Sequence, residues 1–289
     1  MSLDTARQYL LGDGSDALIA FMAAQSVDLA QTGDTSLPKA RAVELGWLDP
    51  VTEQRTATGI FVSDSCREYL FWQKRDRKLP FENTLAHLGR AVFKDKHVCE
   101  IGAGMGANLM SLATTNTKLC GVEPVDAYIV LGDIFREREG LEPIEIRIGG
   151  AEALPFEADE VDLILLVSAH QYFDIHLALK EIARVLRPGG ELILIGGTLW
   201  PYFTQIGRQV IAGKSSPKDF LITVTNTLSY MAFGRRIIPS RSGFSTARPV
   251  YPTRAAMKRW MRAAGFEQVV EPDSIEDETC FFVKQSGIE

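Results

Sequence analysis

Cysteine, histidine and long apolar runs are all scarce in this chain of 289 residues, and each shortage excludes something. The four cysteines, Cys66, Cys99, Cys120 and Cys280, are scattered, and Cys99 and Cys120 sit inside strand-like apolar runs. That pattern excludes a disulfide framework and fits reduced thiols in the core of a cytosolic protein. The four histidines, His87, His97, His170 and His176, show no spacing of a metal centre, so no metal is expected. No apolar run approaches the roughly 20 residues that a membrane span requires, and strand-like runs such as Leu163–Val167 fall far short. The opening residues MSLDTARQYLLGDGSD lack a basic start followed by an apolar stretch, so no leader is expected and a cytoplasmic location is. A composition 46% hydrophobic and 24% charged excludes collagen, coiled coil and wholesale disorder, and roughly 75% of the unfolded chain's surface can be buried at this length.

Positive charge is scarce overall, with a formal net charge of -6, yet it is concentrated. From Pro201 to Trp260 ten bases, Arg208, Lys214, Lys218, Arg235, Arg236, Arg241, Arg248, Arg254, Lys258 and Arg259, face the single acid Asp219, giving +9 there and -15 elsewhere. A basic segment in an acidic protein points to an anionic partner or to a solvated positive face. Residues 1–50 run the other way: Asp4, Asp13, Asp16, Asp28, Asp34, Glu44 and Asp49 outnumber Arg7, Lys39 and Arg41. A DNA reader needs a basic face, so nucleic acid is not an expected partner.

From Lys96 onward, short strand-like runs alternate with helix-like stretches, the pattern of an α/β, Rossmann-like, mostly parallel sheet with helices on both faces. Strands are expected at 96–101, 118–122, 144–148, 161–167, 191–196, 267–270 and 279–283, seven in all. Helices are expected at 107–114, 127–139, 177–186 and 254–264. Residues 1–95 read as a separate helical region. Helices at 16–29, from Ser36 to Gly46 and at 63–73, with a hairpin near Gly46–Pro50, give it a faint likeness to a winged helix. Dimerisation or a lid over the active site is its expected role. The stretch 199–252 is too long for a strand-to-helix connection and is expected to be a cap over the active site.

The most informative run is Glu100-Ile101-Gly102-Ala103-Gly104-Met105-Gly106-Ala107-Asn108, between a strand and a helix. Glycines there let the backbone approach a ligand, and the helix start offers free N–H groups. Gly102, Gly104 and Ala107 also satisfy the dinucleotide fingerprint, and Glu123 at the tip of the next strand could hold ribose hydroxyls in either case. A nicotinamide-dependent oxidoreductase is therefore one alternative, and a non-catalytic cofactor-binding module is another. Two further runs break the tie: Gly150-Ala151-Glu152-Ala153-Leu154-Pro155-Phe156 after the third strand, and Leu186-Arg187-Pro188-Gly189-Gly190 before the fifth. Together the three resemble the class I S-adenosylmethionine-dependent methyltransferase family, in its small-molecule, type 11-like branch, over about residues 96–284.

The resemblance implies S-adenosylmethionine as cofactor. Gly102, Ala103, Gly104 and Gly106 would form the loop under its methionine part, with Glu100 fixing the loop and the amino end. Glu123 would accept both ribose hydroxyls, Pro124 and Val125 would wall the adenine, and Ala151 and Glu152 would lie at its edge with Leu154 and Phe156 behind. The usual Gly-Asp-Ala-Glu pattern is here Gly149-Gly150-Ala151-Glu152, so the aspartate on the adenine amino group is missing. Methyl transfer is an in-line displacement in which positioning dominates and a base is needed only for a protonated nucleophile. The loop after the fourth strand, Ser168-Ala169-His170-Gln171-Tyr172-Phe173, would lie beside the methyl group, with Ser168 touching the cofactor and His170 and Tyr172 assisting a hydroxyl. The expected acceptor is a small organic molecule with an apolar body and an anionic handle. Tyr230, Phe233 and Phe244 would hold the body and Arg235, Arg236, Arg241 and Arg248 the handle. A homodimer is the expected assembly.

Overall fold

The computed structural model describes residues 3–26, 34–79, 92–114, 118–213, 215–238, 248–270 and 280–285. Seven strands form one sheet: β1 (His97–Ile101), β2 (Lys118–Glu123), β3 (Glu145–Ile148), β4 (Val161–Val167), β5 (Leu186–Ile195), β6 (Phe266–Val270) and β7 (Cys280–Gln285), in the order β3-β2-β1-β4-β5-β7-β6. The pairs β2–β3, β1–β4 and β4–β5 are parallel, and β7 runs antiparallel to both β5 and β6. All of β1 and most of β4 are buried, which is why β4 reads as the near-continuous apolar run Leu163–Val167 and not as an alternating one. Each fully buried Leu or Ile there contributes about 1.5–3 kcal/mol. The order reverses direction at β1, so the carboxyl ends of β1 and β4 mark the switch point where ligands of open α/β sheets gather.

The chain divides into two compact units: Met1–Asp95 with Ala103–Ile148, and Lys96–Gly102 with Gly149–Glu289. The first unit thus joins residues 1–95 with residues 103–148. In the first unit, α1 (Leu3–Leu11), α2 (Ser15–Ser26), α3 (Ser36–Glu44) and α4 (Ala57–Lys74) share one core with α5 (Ala107–Leu112) and α6 (Asp126–Arg138). Tyr69 stacks on Phe135 with ring centroids 4.4 Å apart, and Trp72 Nε1 donates to Ser111 Oγ at 3.1 Å. Arg138 donates to the Leu10 carbonyl and Ser15 Oγ and pairs with Asp16. The physical reason is that α5 and α6 need an apolar cover, and the N-terminal helices supply it. The winged-helix likeness does not hold among the described residues, since the expected hairpin is a single antiparallel bridge, Leu48 to Arg55. Helix α4 begins earlier than its expected start because Thr56 Oγ1 caps it by accepting from Gly59 N.

The second unit adds α7 (Ile175–Val185), α8 (Leu199–Ile211), α9 (Pro217–Phe233) and α10 (Arg254–Ala263). The expected insertion after β5 is a helical hairpin, α8 and α9. The expected turn at Leu186–Gly190 is a bulge at the start of β5: Leu186 pairs with Val161 and Glu191 with Leu163, so Arg187–Gly190 loop out between them. Gly189, at φ +76°, makes that bulge, and Arg187 holds it through the Asp159 carbonyl and Asp162. Among the described residues no helix is long and apolar enough to cross a membrane.

Candidate functional site

In the first unit the site is built on the turn between β1 and α5. Gly104 and Gly106 lie at φ +56° and +82°, in the left-handed region that favours glycine. A Cβ on Gly104 would meet nothing within 4 Å, so its backbone faces open space. Ala103 N donates to the Val122 carbonyl at 3.1 Å and ties the turn to the end of β2. Glu123, the last residue of β2, is buried; its Oε2 accepts from Gly104 N at 2.9 Å and its Oε1 from Val125 N at 3.0 Å. Burial raises its pKa, and the two backbone N–H groups pull it part of the way back. A carboxylate is thus held against a glycine turn, with Pro124 exposed and Val125 half-buried beside it.

Sequence reasoning missed the residue that supports this turn from below. The guanidinium of Arg136, on α6 and 2% exposed, donates from Nη1 to the Met105 carbonyl at 2.9 Å and from Nη2 to Asp133 Oδ1 at 2.6 Å. It fits because two positions lack a side chain. A Cβ on Gly106 would lie 2.8 Å from Nη1, and one on Gly132 would lie 2.2 Å from the Met105 carbonyl oxygen. The available signal was Gly132 itself, a glycine inside a helix, where alanine is normally better by about 1 kcal/mol.

In the second unit Glu100 is buried within β1, and Gly102, at φ +71°, packs so closely on Ala169 that a Cβ would lie 2.6 Å from the alanine's own. Ser168, at the end of β4, is exposed and has φ +50°, a left-handed backbone that a non-glycine residue holds only under constraint. Its N–H donates to the Ile195 carbonyl at 2.9 Å, and Gly196 leaves room for its hydroxyl. Ala151 is buried, as are Leu154 and Phe156 behind it. Glu152 Oε1 accepts from Asp174 N at 2.8 Å, so this carboxylate is engaged at the start of α7.

His170 departs from its expected role. It is 1% exposed, its Nε2–H donates to the Gly197 carbonyl at 3.0 Å, and burial pushes its pKa down to about 4. Nδ1 is buried without a hydrogen-bond partner, which fits a neutral Nε2–H tautomer. It braces the end of β4 against Gly197, with a pKa far below that of a base working near neutrality. Tyr172, in the same loop, is 40% exposed. His97 and His176 are engaged elsewhere, with the Glu160 carbonyl and with the rings of Tyr230 and Trp260, and His87 lies outside the described residues.

The cap residues also separate into different jobs. Tyr230 is buried, and its hydroxyl donates to Asp174 Oδ1 at 2.9 Å; the same oxygen accepts from His176 N and Leu177 N and so caps α7. Arg236 donates to the carbonyls of Gln171, Phe173 and Arg248 at 3.1, 3.0 and 3.0 Å and lies over the Tyr230 ring. Both fasten α9 to the loop after β4, which corrects their expected role on an acceptor. Arg248 pairs with Asp219 at 3.4 Å, and Phe233 and Arg235 are exposed. Arg241 and Phe244 lie outside the described residues.

Residues 99–194 match the model of a methyltransferase domain. An uncharacterized methyltransferase of Bacillus subtilis, YcgJ, is 30% identical over 102 residues, 35% of this chain and 40% of that protein. A second one, from Schizosaccharomyces pombe, is 34% identical over 98 residues, 34% of this chain and 38% of its own. The chain thus spans about two fifths of the curated relatives that it matches. The PH0226 protein from Pyrococcus horikoshii shares the fold, with a TM-score of 0.53 and 15% identity over 74% of this chain and 91% of its own. Over residues 99–194, which hold the glycine turn and the strand-tip glutamate, the chain is thus similar to a methyltransferase domain, and its fold is that of known methyltransferase structures.

Proposed function

We propose that the protein transfers the methyl group of S-adenosylmethionine to a small organic acceptor with an apolar body and an anionic group, by way of an oxygen nucleophile. The observation that carries the cofactor assignment is Glu123, a buried carboxylate hydrogen-bonded to Gly104 N beside a turn whose Gly104 face is open. The arrangement fits: the turn admits a ligand against its backbone, and a carboxylate can accept two ribose hydroxyls. When bound, the cofactor supplies an electrophilic methyl on a sulfonium. In this reading Gly102, Ala103, Gly104 and Gly106 bind the methionine part with Glu100 and Ser168, and Glu123 binds the ribose. Pro124 and Val125 of the first unit, and Ala151 and the backbone at Glu152 of the second, are the residues proposed for the adenine.

The chemistry left to the chain is positioning. With His170 held near a pKa of about 4 and bonded to Gly197, it supplies orientation for the loop and takes up no proton at neutral pH. An acceptor oxygen that ionises on its own, a carboxylate or an acidic phenol, suits such a site, and the exposed Tyr172 is the candidate to orient it. The positive charge of residues 201–260 supports an anionic molecule, with Arg235, Arg241 and Arg248 as its candidate partners and Phe233 and Phe244 as apolar contacts. The buried free thiols Cys66, Cys99 and Cys120 support a reducing, cytoplasmic compartment, and a homodimer without nucleic acid is the assembly proposed.

Calorimetry tests the cofactor site. Glu123→Ala should weaken S-adenosylmethionine by at least tenfold, from charge-assisted hydrogen bonds worth roughly 1.5–3 kcal/mol each. S-adenosylhomocysteine should raise the melting temperature where NAD does not. Unchanged affinity in the variant removes the assignment.

A further inference from the structure

Seven of the twelve large apolar side chains that stand exposed among the described residues fall between Trp200 and Ile237, within the helical hairpin and the residues after it. None of the residues of α8 is fully buried. At 100° per residue, Trp200, Phe203 and Ile211 fall on one arc of about 80°, and Leu221, Val224 and Leu228 of α9 on one of about 60°. The two helices pack on each other through Tyr202 and Phe203 against Phe220, and Trp200, Ile211, Leu221 and Leu228 stay exposed. Trp200 is 60% exposed and Ile211 89%. Water contact over this many exposed large apolar side chains is costly unless a partner removes it.

The charges around these stripes select the partner. Arg208, Lys218 and Arg235 are exposed, and the one acid of the region, Asp219, is paired with Arg248. A second copy of this chain would bring the same basic rim to both sides of an isologous contact. An apolar surface beneath a layer of negative charge meets both features at once. We propose that the α8–α9 hairpin docks this protein on an anionic lipid surface, with the apolar stripes entering the headgroup boundary and Arg208, Lys218 and Arg235 facing lipid phosphates. The -15 carried by the rest of the chain repels the same surface and so orients the molecule with the hairpin down. This inference is independent of methyl transfer and holds or fails without it.

The test uses the full chain and vesicles of phosphatidylcholine alone or mixed with phosphatidylglycerol. Trp47, Trp72 and Trp260 are buried, so a blue shift of tryptophan emission on adding vesicles reads Trp200. The expected result is a blue shift and co-sedimentation with phosphatidylglycerol vesicles alone, reversed near 1 M salt, where the screening length is about 3 Å. Arg208→Gln with Lys218→Gln should weaken partitioning about thirtyfold. Ile211→Asp with Leu221→Asp should abolish it while the melting temperature and S-adenosylhomocysteine binding stay as in the parent, since both side chains are exposed. The proposal is overturned by absent partitioning, by equal partitioning into phosphatidylcholine vesicles, or by a dimer in light scattering that the double aspartate variant dissociates, which would assign the face to a second copy.

Discussion

His170 and Glu123 are both buried titratable groups at strand ends, and burial moves them in opposite directions because it disfavours whichever form is charged. For His170 the folded pKa of about 4 lies below the ordinary 6.5, so the stability it contributes is fully present above pH 6.5 and is lost as the pH falls toward 4. In that window the unfolded chain takes up a proton that the folded one refuses, a loss on the order of 3 kcal/mol. His170→Gln keeps an N–H for the Gly197 carbonyl without a titrating ring, so its melting temperature should fall less between pH 7 and pH 4.5 than the parent's. Its turnover should stay within about threefold at neutral pH, where loss of a general base costs about 10²–10⁴. A loss of that larger size would restore the histidine as base. Glu123 was legible because an acid at the tip of the strand after a glycine turn is a local pattern. The burial of His170 was not, since it depends on Gly197, 27 residues away.

At the scale of elements, strands were the most legible feature, because buried segments such as Leu163–Val167 of β4 and Leu192–Ile195 of β5 announce themselves as apolar runs. Helices α1 and α8 were missed; the apolar residues of α8 share one side, but none of its residues is fully buried. The bulge at Arg187–Gly190 was read as a turn, as the same Pro-Gly-Gly chemistry serves both. The support under the glycine turn was invisible because it joins two elements, the turn and α6, through one carbonyl. It yields a substitution with an unusual sign. Gly132→Ala should stabilise a solvent-facing helix by about 1 kcal/mol, yet here the added Cβ meets a backbone oxygen. Overpacking of this kind costs about 1–3 kcal/mol, and the Met105 carbonyl, the element that gives way, belongs to the cofactor turn. A lower melting temperature together with weaker S-adenosylhomocysteine binding is the expected outcome, read by scanning calorimetry and titration. Alanine that raises the melting temperature would show that the turn has room to spare.

For the whole molecule, the sheet was legible from the alternation of runs, whereas the grouping of residues 1–95 with residues 103–148 in one compact unit was not, since it rests on contacts between distant parts of the chain. Tyr69 and Trp72 of α4 cover Phe135 and Ser111, and Met105, Met110, Leu131 and Ile134 complete the same core. Around its edge Glu139 accepts from Arg77 and pairs with the Tyr69 hydroxyl, and Arg138 reaches back to α1 and α2. A chain beginning at residue 96 would leave this face of α5 and α6 in water, so it should lack a cooperative melt and bind S-adenosylhomocysteine no better than the unfolded protein does. A single substitution makes the point without removing an element. Trp72→Ala in the full chain deletes a side chain that is 1% exposed and removes the donor to Ser111 Oγ, at a cost of about 3–5 kcal/mol. Because α5 starts at the last glycine of the cofactor turn, ligand affinity should fall with stability in this variant, and saturating S-adenosylhomocysteine should recover part of the lost melting temperature. A shortened chain that melts cooperatively and binds ligand like the parent would establish residues 1–95 as a separate domain after all.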